Sequence, residues 1–354
     1  NCNLMAETNG KNGLNIQTCE MHCCGEPVRI LETIEPSLNF PKDSDILQKR
    51  KYFSENFDFI RKMLMLEPRG HGNMLGVLLT EPNPSSGSDY GLLFMNTVDL
   101  LPMCGHMTIG VGRYLLEKNL IKKQIPETVI KFDCPCGLVV VSVEWDGTTV
   151  GNTKMLNVPS FVEKMDYEVI ISELGRKVKC DIAFGGNFFA IISANELGVN
   201  FENDAQSVII EKGILLLNTL KKQFCFSHLV SKEIEYLYAA IIIEKNDSNQ
   251  RVKQLCVYGE NLFDRSPCGS GSTAVTTCQY FRKKLQLNQT MVTQNAFLGE
   301  HSTFFATPKE EKEIITENGN IKSLLVEISG RAFFTGECNF TFEENDFFKY
   351  GFNI

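Results

Sequence analysis

MCGHMTIG (residues 103–110) and SPCGSGSTA (266–274) set nearly the same phrase twice into one chain. Aligned on their cysteines, Cys104-Gly105-His106-Met107-Thr108-Ile109-Gly110 and Cys268-Gly269-Ser270-Gly271-Ser272-Thr273-Ala274 share Cys-Gly-x-x-Ser/Thr-x-small. A helical pattern follows each. Ile109, Leu115 and Leu116 come after the first, closing at Lys118 and Asn119. Ala274, Val275, Cys278 and Phe281 come after the second and run into a basic end suited to a helix C-terminus. Both cysteines are therefore expected at the start of a helix, and the repetition predicts a symmetric arrangement.

The rest of the chain supplies matching ingredients on either side. Ser44 to about Leu64 reads as a helix, with Ile46, Leu47, Phe53, Phe57, Ile60 and Leu64 at helical spacing and Ser44 or Asp45 as its cap. Strands are predicted at 75–80, 91–96, 127–133 and 137–145, with EPNPSSGSDYG (81–91) as a loop. A second series follows: strands at 152–157, 177–183 and 186–193, a helix around 203–222, and strands at 234–243, 253–258, 302–306, 323–329 and 331–342. Strands in meanders, without strict strand–helix alternation, favour an α+β fold with mostly antiparallel sheet. No GxGxxG stands between a strand and a helix, so a dinucleotide site is unsupported.

Composition narrows the function. The chain has 354 residues, 43% hydrophobic and 22% charged, enough for a sizeable core and two domains of ordinary size. A net charge of −8, with no basic run longer than Lys49-Arg50-Lys51, argues against nucleic acid or an anionic membrane as partner. No apolar stretch approaches the roughly 18–20 residues that span a bilayer. The opening residues, NCNLMAETNGKNG, lack an apolar targeting core. With 13 cysteines, an odd number, the expectation is free thiols in a reducing compartment, the cytoplasm.

A thiol at a helix start has a chemical consequence. The first turn leaves backbone N–H groups without intrahelical acceptors and carries partial positive charge, which favours the thiolate. Gly105, Gly269 and Gly271 allow close backbone approach, so each start is also a carboxylate cradle. If the two starts face each other, one bound carboxylate sits between two thiols. That arrangement suits removal of a Cα proton from one face and its return from the other, and the scheme requires no cofactor.

At these residues the sequence resembles the proline racemase family, which includes 4-hydroxyproline 2-epimerases and trans-3-hydroxy-L-proline dehydratases. DRSPCGSG (264–271) and MCGH (103–106) carry the resemblance. HCCGEPVRI (22–30), EPRGH (67–71), DIAFGGNFFA (181–190) and ISGRAFFTG (328–336) extend it over almost the whole chain. The resemblance implies a fold similar to diaminopimelate epimerase: two pseudo-symmetric domains, each a curled sheet around a central helix. The first would comprise 14–158 plus 336–354, with the last strand returning to it, and the second 159–335. It implies Cys104 and Cys268 as the acid/base pair, and backbone N–H groups at Gly105, His106, Gly269 and Ser270 for the substrate carboxylate. His106 and Asp264 would receive the ring nitrogen of an imino acid, proline or hydroxyproline. A homodimer is compatible with it.

Departures from the family pattern bear on the substrate. Cys23-Cys24 replace Thr-Gly in the HTGGEP segment, and Thr97-Val98-Asp99-Leu100 stand in place of a NEGY segment. Met107 is bulkier than the usual residue and is expected to change pocket volume. In the dehydratases Thr replaces the second cysteine, and the carbanion expels the 3-hydroxyl. Cys268 therefore points to racemisation or epimerisation, even though CPCGLV (134–139), RGHGNMLG (69–76) and LQLNQ (285–289) look like the animal dehydratases. Rival readings are weaker. Zinc at His22, Cys23, Cys24, Cys134 and Cys136 lacks a C-x2-C pair. A Cys–His hydrolase using His71 or His301 would not need two matched cysteines. A non-catalytic amino-acid-binding protein would need neither thiol.

Overall fold

The computed structural model describes residues 14–83, 85–229, 234–246, 250–316 and 319–352; the polar opening segment lies outside them. Strand pairing shows the repeat directly. In the first series β1 (Asn15–Cys23) and β2 (Glu26–Glu35) form an antiparallel hairpin, and β2 runs parallel to β3 (Leu75–Thr80). β3 pairs antiparallel with β4 (Tyr90–Asn96), which carries the two-residue β5 (Leu100–Leu101) and runs parallel to β6 (Glu127–Cys134). A meander through β7 (Gly137–Trp145) to β8 (Val150–Leu156) completes it.

The second series follows the same plan. β9 (Phe161–Ile171) flanks an antiparallel pair, β10 (Arg176–Phe184) with β11 (Phe188–Ser193), and β11 runs parallel to β12 (Leu237–Asn246). β12 pairs antiparallel with β13 (Arg251–Tyr258), which carries the short β14 (Leu262–Phe263) and runs parallel to β15 (Met291–Asn295). β16 (Gly299–Thr316) and β17 (Gly319–Gly330) close the meander. β17 pairs with β8, joining the two series, and β18 (Ala332–Thr341) returns to pair with β1.

Helices occupy equivalent crossovers. α1 (Ile46–Asn56) and α2 (Asp58–Met65) connect β2 to β3. α3 (Gly105–Glu117) follows β5; α4 (Ala194–Leu197) and α5 (Gln206–Gln223) connect β11 to β12; α6 (Gly269–Phe281) follows β14. The two cysteine helices are the cores of their series. Every residue of α3 from Gly105 to Leu116 except Arg113 is buried, as is every residue of α6 from Gly269 to Gln279. A helix buried all round is a central helix. α6 meets this role with small side chains, and three of its hydroxyls are satisfied from within: Thr273, Thr276 and Thr277 donate to the carbonyls of Gly269, Ser272 and Thr273 at 3.1, 2.7 and 2.8 Å.

Two sequence expectations are corrected here. The helix expected over 44–64 is two helices broken at Phe57, whose φ of −128° leaves the helical region. Asp45 and Gln48 form a reciprocal capping box at its start. β9 was not foreseen, because its central residues are exposed and charged and so show no apolar alternation. Among the described residues no helix is long and apolar enough to cross a membrane.

Candidate active site

The two cysteines cap the two central helices and line one small pocket, together with Glu26, Leu75, Met103, Gly105, His106, Tyr238, Tyr258, Asp264, Gly269 and Ser270. All seven site residues expected from the sequence are thus brought together. The contact between the helix starts is reciprocal: a Cβ on Gly105 would lie 2.9 Å from the Gly269 Cα, and one on Gly269 the same distance from the Gly105 Cα. Real side chains do not approach backbone so closely, so the glycine after each cysteine is required where one half meets the other.

Cys104 has an extended backbone (φ −145°), and its Sγ lies 3.2 Å from His106 Nδ1. His106 is wholly buried. Its Nε2 stands 3.3 Å from the Pro27 carbonyl, which places the ring proton there and leaves Nδ1 facing the thiol. Burial lowers the imidazole to about 4, so it is neutral. Burial also pushes the Cys104 thiol well up, eased by the Met107 N–H and aggravated by the neighbouring acidic side chains Asp264 and Glu26. A histidine beside a cysteine was not foreseen. The hydrolase alternative considered only His71 and His301, both exposed and outside the pocket.

Cys268 has φ +66°, a region that side-chain-bearing residues rarely occupy. Its Sγ accepts the Gly271 N–H at 3.4 Å, and its own N–H donates to Ser266 Oγ at 3.0 Å. The preceding loop is fixed from several directions. Gln254 Nε2 donates to the Pro267 carbonyl, and Asn295 Nδ2 donates to the Asp264 carbonyl at 2.8 Å. The Asp264 side chain accepts the Ser266 N–H at 2.7 Å, so it caps this turn and also faces the pocket. Burial raises Asp264 to about 6, against hydrogen bonds from Ser266 and Cys268.

The segment DIAFGGNFFA wedges the two halves together. Asn187 Nδ2 donates to the Met103 carbonyl at 2.9 Å and to Ser270 Oγ at 3.4 Å, touching both repeated phrases. Gly185 leaves no room for a Cβ against the Ser270 carbonyl, and Gly186 has φ +103°. Tyr238 and Tyr258 stack at 5.6 Å to wall the pocket. Nothing in the sequence singled out Glu26, Asn187 or these tyrosines, although the first two lie within segments already quoted.

Other expectations move. Met107 does not line the pocket; its side chain lies in the hydrophobic core, so only its N–H serves the site. Cys23 is buried within electrostatic reach of Asp264 and Cys104, and Cys24 Sγ donates to the Thr303 carbonyl at 3.3 Å. Among the described residues no three His, Cys, Asp or Glu side chains gather to hold a metal ion, and no disulfide joins any of the twelve described cysteines.

A family profile described as proline racemase matches residues 18–353. A trans-L-3-hydroxyproline dehydratase of Saccoglossus kowalevskii is 38% identical over 94% of this chain and 99% of its own length. A proline racemase of Acetoanaerobium sticklandii is 32% identical over 96% and 98%. Among solved structures, a hydroxyproline epimerase from Agrobacterium vitis with bound trans-4-hydroxy-L-proline superposes with a TM-score of 0.86 at 23% identity, covering 96% of each chain.

Proposed function

The chain belongs to the proline racemase family of enzymes, and from that premise we propose that it inverts Cα of proline or 4-hydroxyproline by proton transfer between Cys104 and Cys268. The observation that carries this reading is the abutment of two cysteine-capped helix starts on one pocket. The substrate carboxylate is held by first-turn N–H groups at Gly105, His106, Gly269 and Ser270, which lack intrahelical acceptors. As one sulfur takes the Cα proton, negative charge moves onto that carboxylate, where the N–H groups and helix dipoles stabilise it. The opposite thiol gives its proton to the other face. Cys104, kept protonated by burial, is the donor in one direction, and the roles exchange in the other. Asp264 accepts the cationic ring nitrogen.

The second reading is dehydration of trans-3-hydroxy-L-proline, favoured by the name of the Saccoglossus kowalevskii relative. There the Cα proton is removed, the 3-hydroxyl leaves as water, and a double bond remains. Cys268 supports the first reading, since it offers the carbanion a proton on its second face. Proton NMR in D2O with trans-4-hydroxy-L-proline, L-proline and trans-3-hydroxy-L-proline tests both. Deuterium at Cα with an inverted product is expected. Loss of the 3-hydroxy substrate alone, to an unsaturated product, would overturn the first reading in favour of the second.

A further inference from the structure

We propose that Glu26 is the second acceptor for the ring nitrogen of the substrate, acting opposite Asp264. The assignment rests on the imino-acid reading above and adds a binding group to it. Glu26 opens β2, and its side chain is fully buried. Oε2 accepts the Arg265 N–H at 2.6 Å, with the Arg265 guanidinium 3.6 Å away. Oε1 is buried with no hydrogen-bond partner, and the residue lines the same pocket as Cys104, Cys268 and Asp264. An unpartnered carboxyl oxygen at full burial is costly, and a ligand in the pocket is placed to supply its partner.

The chemistry of the ligand fits. A protonated imino acid carries two N–H bonds on one cationic nitrogen, so it calls for two acceptors. Asp264 is one. The His106 ring is already engaged, Nε2 with the Pro27 carbonyl and Nδ1 with Cys104, which leaves Glu26 Oε1 and the Tyr258 hydroxyl as unpartnered groups of the pocket; of these only the carboxyl can match the charge of the cation. Arg265 follows Asp264 in the chain and grips Glu26, so one contact between the halves sets the spacing of both carboxyl groups. Burial and the charge of Asp264 push the Glu26 carboxyl up, and a cation beside it acts in the opposite direction.

The test separates a nitrogen-binding role from a structural one. In Glu26→Gln the amide oxygen can still accept the Arg265 N–H, but an NH2 group now meets the cation. The expected result is a KM for the imino acid raised about 10- to 100-fold. Inhibition by pyrrole-2-carboxylate, which has a single N–H and no cationic nitrogen, should weaken less than about threefold on the same grounds. Equal weakening of both, or of neither, would overturn the assignment. A second measurement uses Asp264→Asn, in which Glu26 still accepts one N–H, so proline should bind about 3- to 10-fold more tightly than tetrahydro-2-furoate, which has no N–H. Equal affinity of that variant for the two would overturn it as well. If the unaltered protein exchanges no Cα hydrogen on any of the three imino acids, the proposed function fails instead, and that outcome is distinct.

Discussion

The two helix starts carry one phrase but hold their cysteines differently. Cys104 sits in ordinary extended backbone with an imidazole beside its sulfur, whereas Cys268 is held at φ +66°, a conformation that costs about 1–3 kcal/mol. Hydrogen bonds through Gln254, Asn295 and Ser266 enforce that conformation around Cys268. The fourth position of the phrase differs as sharply. Met107 turns its side chain into the core, while a Cβ on Gly271 would meet Ile241 at 2.7 Å and the Cys268 sulfur at 3.0 Å. The repeat thus retains what a two-faced reaction needs on each side: a thiol, a glycine at the contact and an N–H three residues on. Each half reaches that end by its own local packing.

Replacing either thiol should have the largest effect. Cys104→Ser or Cys268→Ser should lower Cα exchange by about 10²–10⁴-fold, since a hydroxyl is a far poorer acid and base near neutral pH. A variant that loses exchange of only one enantiomer's Cα hydrogen, followed by deuterium incorporation, would assign the face each sulfur serves. Gly105→Ala and Gly269→Ala come next. Both should lose stability by about 1–3 kcal/mol from overpacking, and should do so alike because the contact is reciprocal. Denaturant melts showing a cost on one side only would break the symmetry.

The pH response belongs to the second half. On the proposed role of Asp264 as a carboxylate acceptor for the cationic nitrogen, kcat/KM should fall about tenfold per unit as pH drops below about 6. Stability has the opposite sign. Between the unfolded value near 4 and the folded value of about 6 the native state binds the extra proton, so stability should decrease as pH rises through that window. Glu26, also raised, adds in the same direction. Asp264→Asn should flatten both profiles, and an unchanged rate profile would remove Asp264 from nitrogen binding. The smallest effect is expected at position 107. Met107→Leu is a volume-conserving core change and should alter the preference between proline and hydroxyproline less than about twofold. A larger shift in relative kcat/KM would bring that side chain back to the pocket.

The central helices and both cysteines were legible because each phrase stands directly before a periodic apolar run. The sequence marks Gly105 and Gly269 as candidates for an anion cradle, but not as the meeting point of the two helix starts, which depends on how they pack. The Cys104–His106 pair escaped notice because the direction of a side chain in the first helical turn depends on what surrounds it, here the Pro27 carbonyl. The same limit misplaced Met107. Asn187 and Glu26 act through partners more than 80 and 200 positions away in sequence, and no local pattern marks such pairings.

The pairing of β18 with β1 bears on how the chain is made. Synthesis delivers β1 first and its outer neighbour last, so the first series cannot complete its sheet until residues 332–341 have left the ribosome. The pocket, lined by residues from Glu26 to Ser270, likewise waits on strands of the second series. A nascent chain arrested before residue 332 should leave β1 cleavable by protease, and release of the full chain should protect it.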